Sequence, residues 1–149
     1  MTIFIREFTE RDIEELTSLM KKLCRINGQE FEEERWRTSL ETQMSQDTNS
    51  EVIVAFDKND NQVMGMANCA VKTSDKGFRF GYVSNLIVKE EKRRSGIGEK
   101  IIHHIIDFFK RNHIDSIRVA LKPNLNKAAQ KLFMKVGFEE IYHIFELKI

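Results

Sequence analysis

With 149 residues the chain has the size of one compact domain, and its 24 basic and 23 acidic side chains nearly cancel, which argues against a nucleic-acid partner. The two cysteines, Cys24 and Cys69, lack paired spacing, so we expect no disulfide framework and no cysteine-rich zinc site, and a reducing cytoplasm suits them best. No apolar run approaches the length of a transmembrane helix, so we expect no membrane partner. The first residues also lack the apolar stretch of a secretion signal.

The first half of the chain is predicted to contain a strand, two helices and a hairpin. Their predicted ranges are 3–7 for the strand, 9–28 and 32–44 for the helices, 45–50 for a loop, and 52–56 and 63–71 for the arms of the hairpin. The first helix begins at a pair typical of a capping box, Thr9 and Asp12. The second helix has an apolar face of Trp36, Leu40 and Met44.

In the second half, strands and helices are predicted to alternate. The predicted ranges are 82–88 for a strand, 96–112 for a helix, 116–121 for a strand, 126–136 for a helix and 142–149 for a final strand. The first of these helices carries Ile97, Ile101, Ile105 and Phe108 at helical spacing, and Gly137 ends the second. This order of elements predicts a mixed α/β structure, with residues 1–149 forming a single domain.

A glycine-containing turn lies between the strand at 82–88 and the helix that follows it. Its glycines allow the backbone to come close to a ligand, and the free N–H groups and positive dipole end of the new helix attract an anion. The spacing matches neither a P-loop nor the three-glycine dinucleotide fingerprint, and the structural alternative is a plain turn on a charged surface. We therefore predict a pyrophosphate site made by Arg93, Arg94, Ser95, Gly96, Ile97 and Gly98.

Two motifs at the right separation carry a family resemblance. The segment from Val83 to Gly98, followed by Asn126-x-x-Ala129 and Phe133-x-x-x-Gly137-Phe138, closely resembles the GNAT acetyltransferase superfamily. That family has Arg/Gln-x-x-Gly-x-Gly/Ala after its fourth strand and Asn-x-x-Ala-x-x-x-Tyr-x-x-x-Gly-Phe on the helix after its fifth. The resemblance implies an α/β (α+β) fold with a mixed, mainly antiparallel, twisted sheet, helices on both faces, and splayed strands four and five.

The resemblance also implies a cosubstrate and residues that bind it. Acetyl-CoA would be the acetyl donor, an amine the acceptor, and homodimers are frequent in the family. The backbone of Leu86, Ile87 and Val88 would bind the pantetheine arm, with an N–H in this stretch, at Leu86, stabilising the tetrahedral intermediate. Asn126 would reach the CoA arm, although a plain helix cap explains it equally, and Phe133 would lie at the CoA site.

The chemistry of the chain departs from the family pattern at two places. Many members have a Tyr where this chain has Phe133, and that Tyr protonates the departing thiolate. Many also have an acidic residue on strand four, where this chain has Ser84 and Asn85. Tyr82 is the candidate to replace the missing Tyr as the proton donor. The structural alternative is that Tyr82 is an ordinary aromatic residue at the start of a strand.

The expected function is therefore transfer of an acetyl group from acetyl-CoA to a primary amine of a small molecule or protein, by direct attack in a ternary complex. The alternative is a non-catalytic acyl-CoA-binding or sensor module with the same fold, which the missing acid and base favour. No metal is expected, since no two histidines show ligand spacing with a carboxylate partner.

Overall fold

The computed structural model describes residues 2–45, 49–92, 95–122 and 124–149, so part of the predicted loop at 45–50 lies outside it. Its elements are β1 (Ile3–Glu7), α1 (Ile13–Ile26), α2 (Glu33–Ser45), β2 (Ser50–Asp57), β3 (Gln62–Thr73), β4 (Arg79–Val88), α3 (Ile97–Arg111), β5 (Ile117–Val119) and α4 (Lys127–Val136). Short 3₁₀ turns precede α1, at Glu10–Asp12, and follow β4, at Glu90–Lys92. The predicted order of strands and helices is confirmed as far as α4.

The strands form one sheet in the order β1-β2-β3-β4-β5. The pairs β1–β2, β2–β3 and β3–β4 are antiparallel, and β4–β5 is parallel. The helix α3 makes the crossover that a parallel pair requires. The expected mixed, mainly antiparallel sheet is confirmed.

Helices cover both faces of this sheet. Side chains alternate between the faces along each strand, so Ile53 of β2 belongs to one apolar core and its neighbour Val54 to another. The first core, which includes Phe133, lies under α3 and α4, and we call this side the α3/α4 face. The second, which includes Leu16 and Leu40, lies under α1 and α2, on what we call the α1/α2 face.

The start of α1 is tied to β1 by a buried carboxylate. Asp12, whose side chain is 4% exposed, accepts hydrogen bonds from both terminal nitrogens of Arg6 at 2.7 and 3.1 Å and from the backbone N–H of Thr9 at 2.8 Å. Burial alone would raise the pKa of Asp12, but the hydrogen bonds from Arg6 and Thr9 outweigh it and hold that pKa below its usual value. The capping box predicted from Thr9 and Asp12 is confirmed.

One apolar residue, Met44, was placed wrongly by helical spacing. Met44 is 48% exposed, because it lies in the last turn of α2, beyond the contact that buries Trp36 and Leu40. In α3 the fully buried ring is Phe109, while Phe108 is only partly buried.

The ring of Phe109 also explains a glycine in β4. A Cβ at Gly81 would lie 2.7 Å from two atoms of this ring, closer than atoms can pack. Gly81 therefore lets α3 lie directly against β4 at the point where β4 begins its pairing with β5.

The final strand, predicted at residues 142–149, does not form. Residues 139–149 are all exposed, and none is assigned to a strand. Their alternating sequence suits a strand, but a strand also requires a partner edge, which this segment does not contact in its own chain. Among the described residues, no helix combines the length and the apolar character needed to cross a membrane.

Candidate functional site

A bulge interrupts β4 halfway along its length. Ser84 lies opposite Asn68 of β3 and Ile87 lies opposite Met66, so two residues, Asn85 and Leu86, face one residue of the neighbouring strand. Asn85 has a left-handed backbone with φ of +56°. Asn is several-fold enriched among residues with a left-handed backbone. A bulge of this kind removes a residue from the regular hydrogen-bond ladder and bends the strand. The bulge gives the backbone at Leu86 a direction that a regular strand would not.

The strands β4 and β5 separate at the same level. They pair only through Gly81–Val83 and Ile117–Val119, whereas β4 continues to Val88. We call the space that opens beyond Val83 the β4–β5 gap. The expected splaying of strands four and five is confirmed, and Leu86, Ile87 and Val88 all lie on the part of β4 that borders this gap.

The N-terminus of α3 follows β4 after residues 89–96, which include the 3₁₀ turn at Glu90–Lys92. Gly96 stands at the helix cap in a left-handed conformation with φ of +85°, and no side chain of the described residues caps the helix. The first α3 hydrogen bond runs from the N–H of Lys100 to the carbonyl of Gly96 at 3.0 Å, so the earlier N–H groups of the helix have no acceptor within it. The Ser95 hydroxyl donates a hydrogen bond to the carbonyl of Lys92.

These N–H groups and the positive end of the helix dipole form an anion site of the kind that binds phosphate. Arg93 and Arg94 lie outside the described residues, so their part in the pyrophosphate site stays a prediction. Ile97 is buried, and its side chain belongs to the core rather than to a ligand.

Gly98 has a packing role that the motif did not reveal. A Cβ there would lie 2.7 Å from Cδ2 of Leu132 in α4 and 3.6 Å from Cγ2 of Val88. The missing side chain therefore lets α3 pack closely on α4 and on the end of β4, which holds the helix N-terminus beside the β4–β5 gap.

The second motif lies on α4. The Asn126 side chain accepts a hydrogen bond from the N–H of Ala129 at 3.2 Å, so its role as a helix cap is confirmed. Phe133 is 2% exposed and meets Phe138 edge to face, with 5.0 Å between ring centroids. The ring is thus part of the α3/α4 core, and it supplies no proton. Gly137 ends the helix in a left-handed conformation, as predicted.

Tyr82 lies on the α1/α2 face, two residues before Ser84 on the same side of β4. Its ring is half-buried, and the ammonium of Lys72 lies 4.9 Å from the ring centroid. Directly opposite Ser84, the side-chain oxygen of Asn68 is buried without a hydrogen-bond partner among the described residues. Buried polar atoms nearly always have partners, so this oxygen marks a polar patch made by Asn68, Tyr82 and Ser84.

Asn68 was missed in the sequence, although a signal existed. It is the one amide within the otherwise apolar or small run from Val63 to Val71, and a polar residue inside a buried strand is informative in itself. The polar patch therefore joins the bulge on the side of the sheet away from Phe133.

The buried ionisable groups nearby are poorly placed for the chemistry. Burial raises the pKa of the Cys69 thiol to about 12, so it is not a nucleophile at neutral pH. Burial also raises the pKa of Glu51. This residue lies beside Cys69 in the pairing of β2 with β3, on the α3/α4 face, whereas Tyr82 lies on the other face of the sheet. Within the described ranges, no three His, Cys, Asp or Glu side chains cluster closely enough to hold a metal ion.

Several known proteins are similar to this chain. It is 31% identical over 61 residues to GCN5-related N-acetyltransferase 6, chloroplastic, of Arabidopsis thaliana, an alignment that covers 41% of this chain and only 21% of that protein. A predicted acetyltransferase of Clostridium acetobutylicum, solved with acetyl-CoA, has a TM-score of 0.75 at 19% identity, covering 99% of this chain and 96% of its own. A transcriptional regulator of Bacillus halodurans has a TM-score of 0.81 at 19% identity, covering 99% and 100%.

At these identities the two solved structures share the fold. The family comparison shows more than the fold. A model described as the acetyltransferase (GNAT) family matches residues 15–138, which include most of the chain and both motifs. The protein therefore belongs to the GNAT acetyltransferase family.

Proposed function

We propose that the chain transfers the acetyl group of acetyl-CoA to a primary amine, on a small molecule or a protein, by direct attack in a ternary complex. The observation that carries this proposal is the bulge at Asn85 and Leu86 beside the β4–β5 gap. It provides a backbone donor next to a space in which an extended arm can lie. Cys24 and Cys69 are both buried free thiols, which suits a reaction in the reducing cytoplasm.

In this proposal the pantetheine arm enters the β4–β5 gap as an added strand and binds the backbone of residues 86–88, in the manner of strand addition to a sheet edge. The pyrophosphate binds at the N-terminus of α3, over Ser95 to Gly98, with Arg93 and Arg94 adding charge. Because Asn126 uses its oxygen for the cap, its amide nitrogen remains a donor for the CoA arm. Phe133 packs in the α3/α4 core beneath this part of the proposed site.

The acceptor approaches from the α1/α2 face, because the polar patch of Asn68, Tyr82 and Ser84 lies next to the bulge on that side of the sheet. The amine nitrogen attacks the thioester carbonyl carbon, and the N–H of Leu86 stabilises the oxyanion that forms. The carbon–sulfur bond then breaks, CoA leaves as a thiolate, and the amine loses its extra proton to water. Positioning of the amine near the thioester supplies much of the rate in such a transfer. A thiolate whose pKa is near 8.5 leaves without full protonation.

CoA binding is expected to stabilise the fold. At a CoA concentration of 100 times Kd the gain is about 2.7 kcal/mol, which raises the melting temperature of a domain of this size by about 5–10 °C. Differential scanning fluorimetry with acetyl-CoA and CoA measures the shift, and ATP at the same concentration controls for general binding of phosphates. A melting curve unchanged at millimolar CoA would remove the basis for the proposed site.

The pH dependence is expected to follow from the Phe at position 133. Where a Tyr acts as the acid, the rate falls at high pH as the phenol ionises, near pH 10 for an ordinary Tyr. This chain should lack that fall, so its kcat/KM should rise as the acceptor amine loses its proton and then stay level. The profile requires an acceptor whose pKa lies below about 9, so that the plateau is reached while the protein is stable.

A fall in kcat/KM between pH 8 and 10 would show that another acid has replaced the Tyr. The Tyr82→Phe variant then locates it. If the fall disappears in that variant, Tyr82 is the acid; if the fall persists, the acid lies elsewhere.

The second candidate function is a non-catalytic acyl-CoA-binding or sensor module. It is favoured by the buried Phe133 and by the absence of a carboxylate at Ser84 and Asn85. Measuring free CoA released from acetyl-CoA with a panel of polyamines, aminoglycosides, amino acids and peptide N-termini separates the two functions. CoA binding without release for any acceptor in the panel would favour the sensor.

A further inference from the structure

The α1/α2 face of the sheet is only partly covered by its helices. The strand residues that close the α1/α2 core next to the bulge are Val52, Met66 and Ile87. Beyond them the same face continues along β3 and β4, towards the hairpin that joins these two strands. In this stretch the larger side chains on the face are half-buried or exposed, and they are Asn68, Lys72, Phe80, Tyr82, Ser84 and Arg118. The polar patch next to the bulge is therefore the beginning of an open surface on which an acceptor can lie.

Two basic side chains flank β4 on this open surface. Lys72 of β3 lies opposite Phe80, and its ammonium is 4.9 Å from the ring centroid of Tyr82. Arg118 of β5 lies beside Tyr82, and its guanidinium carbon is 4.5 Å from the ring centroid of Phe80. Lys72 and Arg118, which we call the cation pair, thus approach β4 from its two sides over neighbouring aromatic rings.

The cation pair lacks a counter-ion in the part of the chain that the structure describes. None of the ion pairs there includes Lys72 or Arg118. The Nε of Arg118 is buried and has no hydrogen-bond partner among the same residues. Like charges over neighbouring rings repel each other, and a buried donor nearly always has an acceptor. A carboxylate or phosphate would relieve both, since each accepts charge-assisted hydrogen bonds from lysine and arginine.

The other end of the open surface suits an amine. Asn68 lies next to the bulge, and its buried side-chain oxygen accepts no hydrogen bond from any described residue. An amide oxygen is an acceptor only, so it can bind the N–H of an amine but not an oxyanion. The surface therefore has an acceptor at the bulge and donors further along β4. This polarity matches a ligand with an amine at one end and an oxyanion at the other.

We propose that the acceptor is an amine that also carries an oxyanion, a carboxylate or a phosphate, and that the cation pair binds this second group. The inference rests on the proposed acetyl transfer and specifies its substrate class.

The length of β4 between the bulge and the cation pair sets the length of this acceptor. Counted from Ser84, Tyr82 lies two residues along the strand and Phe80 four. The rings under the cation pair are therefore about 7 and 14 Å from the bulge, at about 3.4 Å per residue. An α-amino group and its own carboxylate are one carbon apart, which is too close. The ε-amino group of lysine, or an ω-amino acid of similar length, can reach both ends.

Matched acceptors test the substrate class. ε-Aminocaproate and its amide have the same length and differ in the negative charge, so rates are compared at equal concentrations of the unprotonated amine. The kcat/KM should be about 10-fold or more higher for the acid, the effect of a charge-assisted hydrogen bond, and the difference should lie mainly in KM. β-Alanine is too short to reach the cation pair and should show little advantage over its amide. An ω-aminoalkyl phosphate of the same length as ε-aminocaproate distinguishes phosphate from carboxylate.

Variants of the cation pair locate the subsite. Lys72→Gln and Arg118→Gln should each lower the acid-to-amide ratio of kcat/KM, and the double variant should bring it close to one. Lys58→Gln is the matched control, because the Lys58 ammonium makes the same kind of contact, 5.6 Å from the ring centroid of Phe4, at the β1 edge of the sheet. It removes the same charge and should leave the ratio unchanged. Should Arg118→Gln not fold, Lys72→Gln decides by itself, since Lys72 is exposed.

The outcomes separate this inference from the proposed function. Equal kcat/KM for acid and amide, or a ratio that Lys72→Gln does not change, would overturn the oxyanion subsite and leave acetyl transfer standing. Release of CoA with none of the acceptors would overturn acetyl transfer itself. Isothermal titration of the CoA complex with ε-aminocaproate then decides the subsite. Binding that is lost with the amide and in Lys72→Gln would support it, and equal binding or none would exclude it.

Discussion

Replacing Asn85 with valine is expected to lower kcat/KM for acetyl transfer by about 10²–10³-fold, the cost of losing one preorganised oxyanion donor. Asn85 holds its left-handed φ of +56° within the bulge. A β-branched residue is a strong outlier in that conformation, so valine should straighten the strand and turn the N–H of Leu86 away from the β4–β5 gap. Release of free CoA in the presence of an acceptor amine measures the effect.

The control for this prediction is Asn85→Gly. Glycine adopts positive φ without strain, so the bulge should persist and kcat/KM should stay close to that of the wild type. Asn85→Gly should keep the full melting shift with CoA. Asn85→Val should keep the part of the shift that the pyrophosphate contributes, since the helix N-terminus at Gly96 is unchanged, but its shift should be smaller because the pantetheine arm binds the backbone of residues 86–88. Equal losses in the two variants would mean that the Asn85 side chain itself takes part. An unchanged valine variant would mean that the oxyanion is stabilised elsewhere.

Replacing Gly96 with aspartate is expected to weaken CoA binding by about 150-fold or more, which exceeds the loss of one charge-assisted hydrogen bond. A Cβ at this position meets no atom of the described part of the chain within 4 Å, so crowding by those residues is not the reason. The new carboxylate would itself be attracted to the N-terminus of α3 and would occupy the site that the pyrophosphate needs. Isothermal titration calorimetry with CoA gives the affinity directly.

The matched variant is Gly96→Ala. It imposes the same strain at φ of +85° without adding a charge, so it should lower the melting temperature while retaining most of the CoA affinity. If alanine and aspartate weakened CoA equally, backbone strain rather than charge would be responsible. If neither changed the affinity, the turn would be an ordinary surface loop.

Much of the fold could be predicted because its elements carry strong local signals. Helical spacing located α1, α3 and α4, and the glycine at position 137 marked the end of α4 correctly. The splayed strands followed only from the family resemblance, since no local pattern indicates where two neighbouring strands separate. Met44 was misplaced because spacing gives the apolar face of a helix but not where its contacts end.

The details of the site depend on contacts between distant residues. Ser84 and Asn85 were interpreted only as positions where an acidic residue is missing. Asn85 also forms the bulge, which only the pairing with β3 reveals. Gly98 was assigned to the phosphate turn, but its contact with Leu132 depends on how α3 and α4 meet. The C-terminal segment was predicted as a strand from its alternation, which specifies faces but supplies no neighbour.

The closed end of the β4–β5 gap limits the length of the acyl group that the proposed reaction can use. In the proposed complex the CoA phosphates would bind near α3, beyond Val88, and the thioester would lie at the bulge, so the acyl chain would point towards Val83. There the strands pair again, and the Phe109 ring lies tightly against Gly81. One or two residues of strand separate the bulge from this closure, about 3–7 Å at 3.3 Å per residue. Acetyl and propionyl groups fit that distance, whereas a longer fatty acyl chain would run into the rejoined strands and be rejected as a donor.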